Sequence, residues 1–137
     1  MYQMIYTSVA TAPLNDSRLR ELCGWSVDWN GSVGITGLLV YDGARFIQAI
    51  EGEQDAVIDL MANIRQDERH GSLEVLVSRP IDAREFGAWS MNFRHARHSA
   101  DAENLVDSVK SDVVNVADSR IQALFIGFAV LGCGRGR

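Results

Sequence analysis

Five short stretches of the chain have the residue pattern of β-strands. The first, YQMIYTSV, is apolar on both faces, which predicts a strand in the interior of a sheet. Asp42-Gly43 is a frequent hairpin turn, so the second and third strands are expected to pair directly with each other. The first four predicted strands lie at residues 2–9, 35–41, 45–50 and 73–78, and in the fourth Leu73, Val75 and Val77 are expected on one face. The fifth is predicted to carry Trp89, Met91 and Phe93 on one face.

Helical periodicity separates several of these strands. Asn15 can cap a first helix, which Gly31 would end. A second helix is predicted after Gly52. Its apolar stripe consists of Val57, Leu60, Met61 and Ile64. Asp82 and Glu85 have the spacing of a capping box, which predicts one further helical turn.

The tail of the chain also has apolar residues at helical spacing, and the pattern does not decide between one helix and two. These residues are Val109, Val113, Val116, Ala117, Ile121, Leu124 and Phe128. Taken together, the order of elements predicts an α+β, ferredoxin-like fold: a mixed five-stranded sheet with two crossover helices on one face. The C-terminal helices are expected to cover the other face, which would otherwise be a large exposed apolar patch.

Composition and charge narrow the range of functions. The chain has 137 residues, enough for one domain, and a formal net charge of -5 without a basic block, so direct nucleic-acid binding is not expected. Its longest apolar run, residues 123–133, is far shorter than the ~18–20 residues that cross a bilayer. Cys23 and Cys133 lack metal-binding spacing, and no metal site is expected. Because no signal peptide is recognisable at the N-terminus, the predicted location is the cytoplasm.

Polar residues on otherwise apolar faces are the candidates for chemistry. Gln48 lies between Phe46 and Ile50 on one face of the third strand. Tyr6 lies on an apolar strand face, and Asn30 ends an apolar helical stripe. Each alone is explained as a structural group, since buried polar groups usually have partners. Together, two amides and a phenol in an apolar cleft predict a site for a planar heteroaromatic ligand.

Five motifs, in a fixed order, carry a resemblance to a known family. They are IYTS at 5–8, NGSVGITG at 30–37, FIQAIEG at 46–52, DERH at 67–70 and FGAWSMNF at 86–93. By these motifs the sequence resembles the BLUF family, the blue-light sensors that use flavin. The resemblance implies a flavin-binding domain at residues 1–95 and a helical extension at residues 96–137 that packs on the sheet.

The resemblance also implies which residues bind the cofactor, which would be FAD, with FMN as the alternative. Gln48 would be the switch amide between the Tyr6 hydroxyl and the flavin ring, and Asn30 would hold the pyrimidine edge of that ring. Trp89 and Met91 would relay the state of Gln48 outward. The implied photochemical residues are Tyr6, Ser8, Gln48, Trp89 and Met91. The implied flavin-binding residues are Tyr6, Asn30, Ile35, Gln48, Arg65, Asp67, Arg69 and His70.

The implied activity is light sensing without catalysis. Light makes the flavin an oxidant, Tyr6 gives up an electron and a proton and regains both, and the amide of Gln48 rotates or tautomerises. The absorption then shifts slightly to the red, and the signal passes to an unknown protein partner or to a homo-oligomer interface. The alternatives are a flavin-free ferredoxin-like binding or assembly module and, less favoured, a small acylphosphatase-like hydrolase, for which the phosphate-cradling loop is missing.

Overall fold

The computed structural model describes residues 1–11, 34–68, 70–86, 92–95, 102–114 and 116–135. The strands are β1 (Tyr2–Ala10), β2 (Thr36–Tyr41), β3 (Arg45–Gly52), β4 (His70–Pro80) and β5 (Asn92–His95). The helices are α1 (Gln54–Gln66), α2 (Ala102–Val113) and α3 (Ser119–Arg135). The helix predicted from Asn15 to Gly31 lies outside the described residues.

The strands form one sheet in the order β4-β1-β3-β2-β5. The first four in this order pair antiparallel, and β5 pairs parallel to β2. Sheet and helices together confirm the α+β class, and β1 is an interior strand, as its apolar pattern predicted. The tail forms two helices rather than one.

Both faces of the sheet are buried, and each packs against different helices. The α1 face carries Met4, Tyr6, Leu39, Phe46 and Ile50. Helix α1 covers it through the predicted stripe, of which Val57, Leu60 and Met61 are buried. The tail face carries Ile5, Leu38, Val40, Ile47 and Ala49. Helices α2 and α3 pack on it through residues that include Val109, Val113, Ile121, Phe125 and Phe128.

The hairpin between β2 and β3 is held by Asp42. Its Oδ1 accepts hydrogen bonds from the backbone N–H of Ala44 at 2.9 Å and of Arg45 at 2.7 Å. Gly43 has a φ of 100°, a conformation that favours glycine. The turn therefore fixes the register of the strand that carries Gln48.

Strand β4 departs from the simple alternation predicted for it. That alternation places Val75 and Val77 on the same face. In the structure Val75 pairs with Tyr6 and Val77 pairs with Ile5, so the two valines lie on opposite faces. Leu76 is the additional residue between these two pairs, which is the geometry of a β-bulge. The prediction of one shared face is wrong because the bulge reverses the alternation.

Residues 81–86 form no helical turn, so the prediction from the capping-box spacing is also wrong. A capping box needs the Glu85 side chain to accept from the Asp82 backbone N–H. Instead, the Glu85 carboxylate accepts from Gln3 Nε2 at 3.1 Å, and its backbone N–H donates to Glu51 at 2.9 Å. Hydrogen bonds to residues of β1 and β3 thus replace the local hydrogen bond of the capping box.

Candidate functional site

A buried polar pair on the α1 face joins the adjacent interior strands β1 and β3. Tyr6 and Gln48 are direct cross-strand partners, and each is only 4% exposed. The Tyr6 Oη donates a hydrogen bond to the Gln48 Oε1. The two N–H groups of the amide therefore lie at the end of Gln48 away from the phenol.

Burial keeps the phenol of Tyr6 protonated. Desolvation raises the pKa of Tyr6 far above its usual value of ~10, and the charge of the Asp67 carboxylate raises it further. The Tyr6 hydroxyl therefore remains a hydrogen-bond donor throughout the physiological pH range. Gln48 Oε1 therefore accepts a hydrogen bond from the Tyr6 hydroxyl throughout this pH range.

Aromatic rings and an aliphatic side chain surround this pair. The ring centroids of Tyr6 and His70 lie 6.2 Å apart, and those of Phe46 and His70 lie 6.1 Å apart in an edge-to-face arrangement. Ile35 is fully buried in the same core. The His70 Nε2 lies 2.7 Å from the carbonyl oxygen of Ile64 in α1. Since a carbonyl only accepts hydrogen bonds, Nε2 carries the proton of this contact.

Two buried polar atoms near the pair have no hydrogen-bond partner within the described residues, namely Ser8 Oγ and His70 Nδ1. Buried polar atoms are rarely left without partners, so these two atoms are open to a further polar contact. Ser8 is the cross-strand partner of Phe46 and lies on the α1 face. A flavin combines a flat apolar ring with polar edges, which fits this combination of aromatic surface, amide and unpartnered polar atoms.

The structure brings six of the candidate residues to the α1 face or its margin. They are Tyr6, Ser8, Ile35, Gln48, Asp67 and His70. Asp67 ends α1 and is half-buried, whereas Arg65 is exposed in the last turn of that helix. The other four candidates, Asn30, Arg69, Trp89 and Met91, lie outside the described residues.

A second set of polar residues, on the tail face, was not predicted. It contains Gln3, Thr36, Glu51 and Arg79, one from each of four adjacent strands. Gln3 and Glu51 are 0% exposed. The available sequence signal was the position of Glu51, which follows Ile47 and Ala49 on an alternating apolar face.

Other kinds of site have little support in the described part of the chain. No group of three or more His, Cys, Asp or Glu residues there could hold a metal ion. No helix in those ranges is both long and apolar enough to cross a membrane. An open cleft of ≈ 690 Å³ lies between residues 79–85 and residues 117–118. Its Arg79 is already paired with Glu85 and Asp118.

BlrB and BlrP1 are among the solved structures that resemble this chain. BlrB, a BLUF protein solved in its dark state, is 28% identical with a TM-score of 0.68, and the match covers 95% of this chain and 96% of that chain. Klebsiella pneumoniae BlrP1 with FMN and cyclic diGMP is 26% identical with a TM-score of 0.64, over 77% of this chain and 29% of that chain.

Sequence comparison leads to the same group of proteins. The beta subunit of photoactivated adenylate cyclase from Euglena longa is 34% identical over 89 residues, which are 64% of this chain and only 10% of that protein. The family model for BLUF, described as sensors of blue-light using FAD, matches residues 1–92. The chain therefore belongs to the BLUF family of blue-light sensors.

Proposed function

We propose that this chain binds flavin on the α1 face and uses the pair Tyr6 and Gln48 as its light-driven switch. The observation that carries the proposal is the buried hydrogen bond from Tyr6 Oη to Gln48 Oε1. The unpartnered Ser8 Oγ and His70 Nδ1 support it, because they offer polar contacts beside the same pair.

The phenol is the electron and proton donor of the switch. A bound flavin supplies the absorption of blue light and, once excited, a strong oxidant. Burial holds Tyr6 in its protonated form, so the electron and the proton leave the same side chain. The proton is already directed at Gln48 Oε1, which defines its first acceptor. When the electron and the proton both return, Tyr6 recovers its original oxidation and protonation state.

The amide of Gln48 is the group whose hydrogen-bonding arrangement differs before and after this cycle. Its two ends have opposite hydrogen-bonding character, so a half-turn or a tautomerisation exchanges a donor for an acceptor at each end. In the present arrangement Oε1 faces the Tyr6 hydroxyl. The exchanged arrangement would differ from it only in hydrogen bonds, which gives a small free-energy bias between two states of the sheet.

FAD is the proposed cofactor, and FMN is the alternative. The family description names FAD, whereas BlrP1 was solved with FMN. We assign Asn30 to the pyrimidine edge and Ile35 to the apolar surface of the ring. Asp67 and His70 meet at the end of α1, which supports their assignment to the ribityl side. We assign Arg65 and Arg69 to the phosphate end, and Trp89 and Met91 to the relay from Gln48.

The output is proposed to pass through the C-terminal helices. Residues 1–95 would form the flavin-binding domain, and residues 96–137 would form an extension that responds to it. The packing of α2 and α3 on the tail face supports this division. The predicted first crossover helix is assigned to the α1 face, because α2 and α3 occupy the tail face.

We propose a sensor without enzymatic activity of its own, located in the cytoplasm. Its target would be a downstream protein or a second copy of the chain. Val130 and Leu131 of α3 are exposed, which supports a role in self-association. The match to the Euglena protein covers only 10% of that protein, and the proposal for this chain does not include the cyclase activity that its name gives.

Flavin content and light response test the proposal together. The purified protein is expected to be yellow, to release intact FAD on denaturation, and to show a small red shift in blue light that reverses in the dark. A colourless protein that takes up neither FAD nor FMN would favour the flavin-free assembly module. Flavin that bleaches irreversibly would contradict the proposed switch.

A further inference from the structure

Four polar side chains form a continuous row across the tail face. Arg79 of β4 pairs with Gln3 of β1, Gln3 with Glu51 of β3, and Glu51 with Thr36 of β2. Side chains also connect within this row, since Arg79 Nε donates to Gln3 Oε1 at 3.0 Å and Gln3 Nε2 donates to Glu51 Oε2 at 2.9 Å. A polar row on a buried sheet face requires partners above it.

Residues 84–86 supply those partners. The backbone N–H groups of Glu85 and Phe86 each donate to the Glu51 carboxylate at 2.9 Å. Arg84 donates to the Thr36 Oγ1 at 2.6 Å and to the backbone oxygen of Glu51 at 3.0 Å. Glu51 is fully buried, so its carboxylate oxygens need these hydrogen-bond donors. We call the polar row and these contacts together the Glu51 clamp.

The clamp reaches the C-terminal helices at two points. The Phe86 ring packs on Phe125 of α3, with ring centroids 5.3 Å apart. Arg79 donates to Asp118 at 3.1 Å, and the Oδ1 of Asp118 accepts from the backbone N–H of Arg120 at 2.9 Å, in the first turn of α3. The clamp thus joins the end of β3 to the start and the middle of α3.

Gln48 and Glu51 lie on the same strand, three positions apart and on opposite faces, which corresponds to about 10 Å along β3. Phe86, which the clamp holds, leads along the chain to β5. Any rearrangement that shifts residues 84–86 has to break contacts of the clamp. The clamp therefore opposes arrangements of residues 84–86 other than the present one.

We propose that Glu51 is a positioning residue of the photoswitch, which holds residues 84–86 in the dark arrangement and so sets the lifetime of the lit state. This inference rests on the proposed function. If the clamp is loosened, the lit arrangement costs less free energy, and return to the dark state becomes slower. Flavin binding is expected to be unchanged, since Glu51 faces away from the α1 face.

Glu51→Gln tests this role. Three donors now share two carboxylate oxygens, and a glutamine of equal size offers one oxygen, so at least one donor would face an N–H group. Glu53→Gln is the matched control, because Glu53 is exposed and its side chain makes no cap hydrogen bond at the start of α1. Each substitution removes one negative charge, and the two substituted positions are only two residues apart in the sequence.

Two readouts separate a positioning role from a merely structural one. Amide hydrogen exchange at Glu85 and Phe86 should become about tenfold faster or more in Glu51→Gln, with or without flavin. Dark recovery of the flavin spectrum should become roughly 3- to 30-fold slower. Glu53→Gln should change neither.

Other results would overturn the clamp, its role in the switch or the proposed function. Unchanged exchange at both amides overturns the clamp, and faster exchange with unchanged or faster recovery overturns its role in the switch. If Glu51→Gln does not fold, the wild type provides the test. Continuous blue light should raise amide hydrogen exchange at Glu85 and Phe86 of the wild type. No change in their exchange would overturn the inference. A wild type that binds flavin but shows no spectral response refutes the proposed function itself, while the exchange data still report on the clamp.

Discussion

A Cβ atom added at Gly37 would lie 1.9 Å from the backbone carbonyl oxygen of Ala49. Gly37 of β2 and Ala49 of β3 therefore approach each other in a way that only glycine permits at the first position. Ala49 follows Gln48 in the chain, so this contact also fixes β2 against the strand that carries the switch amide.

Gly37→Ala is expected to lower the free energy of unfolding by about 2 kcal/mol or more, because a backbone atom rather than a flexible side chain would have to move. Urea denaturation followed by circular dichroism measures this loss. Gly71→Ala is the control, since Gly71 also lies in a strand but a Cβ there meets nothing within 4 Å. Equal losses in the two variants would show that the close approach is unimportant.

Alkaline pH is expected to destabilise the fold through Tyr6. Its pKa in the folded protein is raised above the unfolded value of ~10. The stabilising contribution is complete below pH ~10 and is lost as the pH rises towards the folded pKa, because the unfolded chain releases this proton first. The free energy of unfolding should therefore fall between about pH 10 and 11 more in the wild type than in Tyr6→Phe. Parallel pH curves for the two proteins would contradict the burial of this phenol.

Ser8→Ala is expected to separate cofactor binding from folding. The Ser8 Oγ has no hydrogen-bond partner within the described residues, so its removal should change the free energy of unfolding of the apoprotein by less than ~1 kcal/mol. The flavin dissociation constant, from fluorescence titration, should rise by about 3- to 10-fold. Ser78→Ala is the control, because its exposed hydroxyl is bonded to Tyr2 Oη at 2.6 Å. An unchanged dissociation constant in Ser8→Ala would place Ser8 outside the flavin site.

Self-association is expected to depend on the exposed apolar residues of α3. Leu131 is 63% exposed, and Leu131→Glu would place a charge in any apolar contact made there. Light scattering coupled to size exclusion should show a smaller average mass for this variant, with the flavin spectrum unchanged. Ser111→Glu adds the same charge at an exposed position of α2 and should leave the mass as in the wild type. The same mass in Leu131→Glu and the wild type would remove α3 from the interface.

Local pattern was sufficient for elements whose burial follows from their own sequence. The stripe of α1 predicted that Val57, Leu60 and Met61 would be buried, and they are. Tyr6 and Gln48 could be selected because each is polar on an apolar strand face. Their direct contact depends on the register between β1 and β3, which the individual strand patterns do not determine.

Features set by distant partners could not be predicted in this way. The bulge at Leu76 comes from how β4 fits along β1, and nothing in the alternation of β4 itself indicates it. Residues 81–86 have the local spacing of a capped helical turn, yet Glu85 bonds to Glu51, 34 residues away in the sequence. The Glu51 carboxylate accepts charge-assisted hydrogen bonds from the backbone N–H groups of Glu85 and Phe86, and the local sequence of residues 81–86 does not reveal this acceptor.

The proposed switch depends most on Tyr6, and the light-minus-dark absorption spectrum of Tyr6→Phe tests this role most directly. Tyr2→Phe is the matched control, because Tyr2 lies on the same strand, packs against the same core, and has a hydroxyl bonded to Ser78 rather than to Gln48. The wild type and Tyr2→Phe are expected to show the same reversible red shift, while Tyr6→Phe binds flavin without any shift. A normal, reversible shift in flavin-loaded Tyr6→Phe would contradict the proposed mechanism.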